Sequence, residues 1–500
     1  IWWLKMKNKE EIRKEFNEID DKIIELLNER YNLSKEIGFI KKNNDLPIRD
    51  INRELQIISK ISNYENSDYI TTIYRDLFSQ SRDIQNSDFL LIGKKLNYSH
   101  SKLIHNMLGN DKYTYYETDD FDKISKIPFK AINITNPYKF EAYKICNKLS
   151  EIASLTETVN TIIKYNGSNF GFNTDYSGFI SMVKHFSINF HNKRVAILGN
   201  GRTKSTIALA LESFDIAEYK VFARNPKENE KLIDKIYDYN PDIIINTTSY
   251  NVYPNLELTP LIDMSELTHV RIVIDVNYNP YRSILGLTPN IQYYNGLYML
   301  IAQAEETENI IDFFYKRNRY AQSYQKIVDS ILMKQRNIVL IGMPYAGKTT
   351  LARILGQTLN MPYYDSDEIL LAENNSLNDV LARNETEEKY RLYENEVIKK
   401  LSTLTGSIIS IGGGAINYSN NMTFLSQNGI IIYLDVPLNI LKSRIDGTRP
   451  LIKTPQDIEN IYDNRSSKYQ EYADLVIKHT NLDETIKTIK EYLKHETSNY

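Results

Sequence analysis

Apolar residues recur at alternating intervals of four and three near the start of the chain: Ile12, Phe16, Ile19, Ile23, Leu26, then Arg30 in the same register, then Leu33, Ile37 and Ile40. That spacing predicts one long helix with a heptad seam. Residues 8–85 hold Pro47 as their only proline and Gly38 as their only glycine, so the whole segment is predicted helical. From about Asp88 the pattern changes to short apolar runs separated by helical periods. FLLIGK (89–94), KAINIT (130–135), KRVAILGNG (193–201) and YKVFARN (219–225) read as strands, and the third runs through a glycine turn into a helix that includes Ala208 and Leu211. A third stretch repeats this texture. NIVLI (337–341), MPYYD (361–365), IISIGGGA (408–415) and IIIYLDV (430–436) are strand-like, YRLYENEVI (390–398) is helical, TRPLI (448–452) is a polar loop, and Arg465 is predicted to open a helix.

Five hundred residues exceed one hydrophobic core and suggest about three domains. Hydrophobic residues make up 42% and charged residues 25%, which is the balance of a soluble globular protein. A net charge of −3 argues against nucleic acid as the main partner. Cys146 is the single cysteine and cannot form an internal disulfide, which fits a cytoplasmic location. No apolar run is long enough to span a bilayer, so no membrane partner is expected. The opening IWWLK is too short for a signal peptide, and Met6 is a candidate start.

The most specific chemistry sits at GMPYAGKTT (342–350), which fits G-x-x-x-x-G-K-[ST]. Here Gly342, Ala346, Gly347, Lys348, Thr349 and Thr350 are expected to cradle the phosphates of ATP. Lys348 reaches the β/γ-phosphates, the Thr349 hydroxyl can ligate Mg²⁺, and the following helix adds its positive end. The strand before the loop and the amphipathic helix after it make a decorative glycine turn a poor alternative.

Arg30 places a guanidinium where the seam calls for an aliphatic side chain. A buried unpaired charge is costly, so Arg30 should meet an anion, either a protein carboxylate or a ligand. Arg13, Lys41 and Arg53 lie on or near the same faces, with Asp50 and Glu54 close by. Arg13 and Arg30 are 17 positions apart (30 − 13), which is about 26 Å along one helix. If both serve one small ligand, Arg13 comes from a second copy of the chain, and a homodimer follows. The segment resembles the all-helical chorismate mutases through IRKEFNEID (12–20), LLNER (26–30), GFIK (38–41), IRDINRE (48–54), and Ser81 with Gln85 on a last helix. The resemblance implies that Arg30, Arg53 and the partner's Arg13 hold carboxylates. It also implies that Lys41 and Gln85 address the ether oxygen and Glu54 the hydroxyl of chorismate, with Asp50 and Ser81 in the same pocket. A unimolecular rearrangement needs only positioning and charge stabilisation.

KRVAILGNG with its following helix is an incomplete dinucleotide fingerprint, since Arg202 stands where the third turn glycine is expected. The second strand ends at Arg224 instead of an acidic residue, which suits the 2′-phosphate of NADP(H). Residues 88–325 resemble shikimate dehydrogenase through SHS (99–101), NITNPYK (133–139), TVNT (158–161), NTD (173–175) and GLYMLIAQA (296–304). By that resemblance Ser99, Ser101, Asn133, Thr135, Asn160, Tyr278 and Gln303 hold the carboxylate and hydroxyls of 3-dehydroshikimate. Lys139 and Asp175 are the catalytic pair, and Gly199, Gly201, Arg224, Gly296 and Met299 belong to the NADP site. A lysine beside a carboxylate can relay the proton that ketone reduction requires. Arg202, together with Asn225 and Glu228 after Arg224, departs from the usual cofactor pattern.

The third region resembles shikimate kinase from end to end. The resemblance implies that Asp365 helps Thr349 hold Mg²⁺ and that Asp367 binds the ring hydroxyls and orients the attacking one. Arg391, Arg465 and the turn of Gly412, Gly413 and Gly414 would clamp the carboxylate, and Arg449 would sit on a lid. Where the family usually has a proline two residues beyond Arg465, this chain has Ser467.

The expected layout is multidomain. An all-α helical chorismate mutase domain (1–87) precedes an α/β shikimate dehydrogenase (88–330), which precedes an α/β P-loop kinase (335–500). Within the dehydrogenase, 88–188 and 296–330 form the substrate domain and 189–295 the Rossmann NADP domain. The implied partners are small carboxylates: chorismate, 3-dehydroshikimate and shikimate. Two other readings keep these folds. One shifts the substrates, to a quinate-type dehydrogenase or another small-molecule kinase. The other makes the helical segment a dimerisation or effector-sensing module.

Overall fold

The computed structural model describes residues 9–44, 46–96, 98–253, 255–373, 387–446, 452, 454–479 and 481–498. Met6 and Arg449 lie outside the described residues. The rest divides into two compact units: residues up to Asn173 with Glu308–Arg319, and Thr174–Thr307 with residues from Tyr320 onward.

The first unit begins with three helices, α1 (Lys9–Asn43), α2 (Ile51–Ile61) and α3 (Ser67–Gln85). α1 is the single long helix that the seam spacing predicts. Glu10 and Glu11 in its first turn and Lys41 and Lys42 in its last complement the helix dipole. α3 crosses α1 at Gly38, where a Cβ would stand 2.7 Å from the Gln85 Cα, so any larger residue would push the two helices apart. The Asp50 carboxylate accepts the Arg53 amide at 3.0 Å and caps α2. The seam itself is not buried: Phe16 is 61% and Leu26 63% exposed, and Ile12, Ile19, Ile23, Leu33, Ile37 and Ile40 are exposed with them.

Six strands follow: β1 (Phe89–Gly93), β2 (Tyr113–Glu117), β3 (Ala131–Ile134), β4 (Lys148–Leu149), β5 (Thr161–Tyr165) and β6 (Ser168–Phe172). Their order is β2-β1-β3-β5-β6-β4; β1 runs parallel to β2 and β3, whereas β5 is antiparallel to β3 and β6. Every residue of β1 is buried, which is why FLLIG reads as an unbroken apolar run. α1 is tied to this sheet. Phe39 packs against its core, the Tyr31 hydroxyl donates to the Tyr115 carbonyl at 3.1 Å, and Lys42 pairs with Asp88 at 2.9 Å.

Lys35, also on α1, is buried beneath two rings, with its ammonium 4.1 Å from the Tyr31 centroid and 5.0 Å from that of Tyr116. Burial pulls its pKa down to about 8; Glu117 opposes this, as do the two aromatic faces, which favour the cation. Because the folded-state pKa lies below the ordinary 10.5, the unfolded chain binds more protons between those values. Stability should therefore rise as pH increases from about 8 towards 10.5. Lys35→Met, which keeps the volume and removes the buried charge, is expected to stabilise the N-terminal unit at pH 7 by on the order of 2 kcal/mol. The same variant should lose that alkaline rise, and urea unfolding at pH 7 and pH 9.5 measures both effects.

The second unit holds two parallel sheets. The first contains β7 (Arg194–Leu198), β8 (Glu218–Ala223), β9 (Lys231–Leu232), β10 (Ile243–Asn246), β11 (Ile272–Asp275) and β12 (Gln292–Tyr294) in the order β12-β11-β10-β7-β8-β9. Counted from β7, that is the doubly wound order 3-2-1-4-5-6 of dinucleotide-binding folds. The helix Thr174–His185 packs Phe179, Met182 and Val183 into the core of this sheet with Val195 and Ile197. That helix opens the second compact unit, which begins at Thr174. The other sheet contains β13 (Asn337–Gly342), β14 (Tyr363–Asp365), β15 (Ile408–Ser410), β16 (Gly429–Asp435) and β17 (Leu475–Lys478) in the order β14-β15-β13-β16-β17. β13 and β16 lie at its centre, buried and almost wholly apolar.

Candidate active sites

In the kinase-like region β13 ends at Gly342, whose φ of 148° and close approach to the Leu434 carbonyl exclude a side chain. The chain turns through Tyr345 (φ 66°) and Gly347 (φ 85°) into the helix Lys348–Leu359. Ala346 is buried in the turn, and Thr350 stands in the first turn of the helix. Tyr345 is the informative member, because a non-glycine residue held left-handed carries strain that such loops tolerate at functional turns. Lys348 is buried, and its Nζ donates to the carbonyls of Gly342 at 2.9 Å and Met343 at 3.1 Å, so it lies across the loop.

Beside the loop, the Thr349 hydroxyl donates to Asp365 Oδ2 at 2.6 Å and Ser410 Oγ donates to the same oxygen at 2.8 Å. Asp365 Oδ1 accepts the amides of Asp367 and Glu368. A hydroxyl and a carboxylate in contact form the hard-oxygen pair that Mg²⁺ accepts when phosphates and water complete its shell. No cluster of three His, Cys, Asp or Glu suited to a metal occurs among the described residues. A two-ligand magnesium site does not need one.

The triple-glycine turn is ringed by the expected polar groups. A Cβ on Gly412 would stand 2.5 Å from Asp367 Oδ1, and one on Gly414 would stand 2.4 Å from an Arg391 guanidinium nitrogen. Arg465 donates to the Gly413 carbonyl at 2.9 Å, as does the Tyr469 hydroxyl at 2.6 Å. Pro344 of the phosphate loop lies 3.0 Å from a Cβ built on Gly413, so the turn abuts the loop. Two points differ from the sequence expectation. Arg465 does not open a helix; it lies inside Pro455–Tyr472, which starts at a Thr454 capping box with Pro455 at its first position. Glu394 was not singled out, yet it forms a buried ion pair with Arg391 at 2.9 Å. Burial pushes the Glu394 carboxyl up, and Asp367 adds to this while Arg391 opposes it. The signal available was the i,i+3 spacing on one helical face.

In the dehydrogenase-like region Ser99 and Ser101 follow β1, Asn133 and Thr135 lie at the carboxyl end of β3 with Lys139 beyond them, and Asn160 immediately precedes β5. Ser99 Oγ accepts the Ser101 amide at 3.2 Å and donates to its hydroxyl at 3.1 Å. Asn133 Nδ2 donates to Thr161 Oγ1 at 2.9 Å, and Thr161 in turn donates to Asn160 Oδ1 at 3.2 Å. A Cβ on Gly93 would collide with Thr135 at 2.6 Å, so β1 and β3 approach closely there. Lys139 is buried at the first position of the helix Lys139–Lys144. Tyr115 escaped the sequence reading. Its hydroxyl donates to the Ser99 carbonyl at 2.6 Å and accepts the Lys102 amide at 3.1 Å, which orders the serine loop.

The second unit carries Asp175, buried in the first turn of Thr174–His185, and Gln303, which accepts from Thr174 Oγ1 at 3.2 Å. Gly199 has φ 98°, and a Cβ there would meet Thr248 at 2.9 Å. Gly201 precedes the helix Arg202–Leu211, and Arg224 is exposed directly after β8. Glu230, also unanticipated, ties the glycine turn to the Arg224 loop by accepting from Asn200 Nδ2 at 2.9 Å and the Lys227 amide at 2.8 Å. Gly296 admits the Val276 carbonyl where a Cβ would stand, and Met299 is buried near it in the sequence.

In the helical region Arg30 donates to Ser81 Oγ at 2.6 Å and to the Leu77 carbonyl at 3.3 Å. Among the described residues no carboxylate pairs with it. Lys41 donates to Gln85 Oε1 at 3.1 Å and to the Ile48 carbonyl at 2.6 Å. Glu54 pairs with Arg49 and with Arg82, the latter unanticipated. Arg53 and Arg13 are exposed, Arg13 near the far end of α1.

Comparison with known proteins matches three families along the chain: chorismate mutase type II at residues 12–86, the shikimate dehydrogenase substrate binding domain at 91–162, and shikimate kinase at 344–495. The shikimate dehydrogenase (NADP(+)) of Caldicellulosiruptor saccharolyticus is 32% identical over 251 residues, covering 44% of this chain and 90% of the relative. The shikimate kinase of Buchnera aphidicola subsp. Acyrthosiphon pisum is 33% identical over 153 residues, covering 29% of this chain and 88% of the relative. A solved chorismate mutase/shikimate 5-dehydrogenase fusion from Clostridium acetobutylicum is 30% identical, covering 49% of this chain and 95% of that one at a TM-score of 0.42. The chain belongs to the shikimate dehydrogenase and shikimate kinase families, carries a type II chorismate mutase domain ahead of them, and is a multifunctional enzyme of the shikimate pathway that joins an isomerase, an NADP oxidoreductase and a phosphotransferase.

Proposed function

We propose that the chain rearranges chorismate to prephenate, reduces 3-dehydroshikimate to shikimate with NADPH, and phosphorylates the 3-hydroxyl of shikimate with ATP and Mg²⁺. One observation carries the reading. The turn of Gly412, Gly413 and Gly414 is bordered by Arg391, Arg465 and Asp367 and abuts the phosphate loop, as a carboxylated polyol facing a γ-phosphate requires. Bound NADPH supplies the hydride and bound ATP the phosphoryl group. The residues do the rest. Arg391 and Arg465 hold the acceptor's carboxylate, Asp367 orients the attacking hydroxyl, Lys348 neutralises charge on the transferring phosphate, and Thr349 with Asp365 holds Mg²⁺. Lys139 donates the proton to the ketone oxygen, Asp175 serves as its acidic counterpart, and Ser99, Ser101 and Asn160 hold the ring. In the mutase site Arg30, Lys41 and Gln85 meet the compact conformer of chorismate, with Arg13 supplied by the partner subunit of a homodimer.

The test is a coupled assay of the purified protein from 3-dehydroshikimate with NADPH and ATP–Mg²⁺. Phosphorylated shikimate is expected only when both nucleotides are present. Faster turnover of quinate than of shikimate in the reverse dehydrogenase assay would defeat the substrate assignment.

A further inference from the structure

The nucleotide-binding sheet of the dehydrogenase and the kinase sheet fall in one compact unit, and the segment that joins them against each other carries Tyr278. Gln335, the last residue of the helix Tyr324–Gln335 leading into the kinase, is 1% exposed, and its Nε2 donates to the Tyr278 carbonyl at 2.6 Å. The Gln335 carbonyl accepts Asn428 Nδ2 at 2.7 Å, from the end of the kinase helix Ser419–Asn428. Asn428 is itself 1% exposed, and its Oδ1 accepts the Tyr281 amide at 3.4 Å. On the same loop the Arg282 amide donates to the Gln427 carbonyl at 2.8 Å and its guanidinium pairs with Asp474 at 3.1 Å, while the Arg336 guanidinium lies 3.8 Å above the Tyr281 ring. The loop from Tyr278 to Arg282 is thus held by kinase residues from several separate segments.

We infer that the kinase region is a working part of the dehydrogenase site, with Gln335 and Asn428 as positioning residues that set the place of Tyr278. This rests on the proposal that Tyr278 contacts 3-dehydroshikimate. A buried amide aimed at a main-chain carbonyl fixes that residue's backbone. Without the donor, the carbonyl loses this buried bond and the loop loses one of its anchors to the kinase region. Side chains that approach substrate from such a loop lose binding first, whereas a group that acts only in the transition state would lose kcat.

The experiment uses the full chain. Gln335→Met keeps the volume and removes the donor. It is expected to raise KM for 3-dehydroshikimate about tenfold, the effect of one lost buried hydrogen bond, with kcat, KM for NADPH and all kinase constants within about twofold. Asn428→Asp keeps the acceptor for Tyr281 and removes the donor to Gln335, so it should shift the same KM in the same direction by a smaller factor. It decides the matter if Gln335→Met does not fold. Tyr278→Phe separates the two layers of argument. If it raises that KM while both positioning variants leave it unchanged, the inference fails and the reading of Tyr278 survives. If Tyr278→Phe has no effect, the reading fails and the inference with it. A parallel rise in KM for NADPH would mark general loosening of the lobe and would also overturn the positioning role.

Discussion

Lys139→Ala is expected to lower the dehydrogenase kcat by about 10²–10⁴-fold, the range a positioned general acid contributes, while the kinase and mutase rates stay within about twofold. The argument starts from placement. NITNP carries the chain off the carboxyl end of β3, and Lys139 opens the next helix with its side chain buried. A lysine usually lies in water, so a buried one at the start of the helix after NITNPY fits the proposed proton donor. Ketone reduction leaves an alkoxide unless a proton arrives with the hydride. An ammonium at that position can supply it and stabilise the developing charge beforehand. Steady-state NADPH oxidation measures the loss, and Lys139→Arg should not restore it, since guanidinium does not give up its proton near neutral pH. The proposed kinase residues Lys348, Asp367, Arg391 and Arg465 belong to the second compact unit and Lys139 to the first. If all three rates fell together in a still-folded protein, the independence of the three sites would be lost.

What could be read from the sequence was whatever repeats locally. The four–three spacing of Ile12 to Ile40 specifies one helix, and the structure has it as Lys9–Asn43. The strand–loop–helix grammar around GMPYAGKTT is local too, and Lys348 begins its helix where the motif puts it. Arg465 lies inside its helix instead of opening it. Thr454, Pro455 and Asp457 form a readable capping box that begins the helix earlier. Other contacts had no local signature. Gln335 meets Tyr278 across 57 positions and Tyr115 meets Ser99 across 16, and neither pair has a periodicity that would reveal it. Lys35 looks like any polar residue on α1 until Tyr116 arrives from β2 to cover it. Glu394 lies between these cases, since its partner is three residues away but its burial comes from the rest of the kinase core.

Mixing two inactive mutase variants is expected to restore activity. Arg30 reaches Ser81 at 2.6 Å, and Lys41 reaches Gln85 at 3.1 Å, so two cations of α1 meet α3. Arg13 lies 17 positions away (30 − 13) on the same unbroken helix, which is about 26 Å. No bend brings it back. Between the two, the seam residues from Phe16 to Leu26 present an exposed apolar stripe against which a second α1 can pack. Antiparallel pairing of two such helices about a twofold axis would carry each Arg13 towards the other subunit's Arg30, because a twofold contact is reciprocal. Arg13→Ala and Arg30→Ala are each expected to lower mutase kcat/KM by at least about 100-fold, the cost of removing a charged partner from a desolvated anion. In an equal mixture that has exchanged subunits, half of the dimers are mixed and each mixed dimer holds one intact pocket of two. Activity should therefore return to about one quarter of the wild-type value. Dehydrogenase and kinase rates in the same tubes should not change. If subunit exchange is demonstrated by native mass spectrometry and the mutase stays silent, Arg13 serves no shared pocket and the seam has some other use.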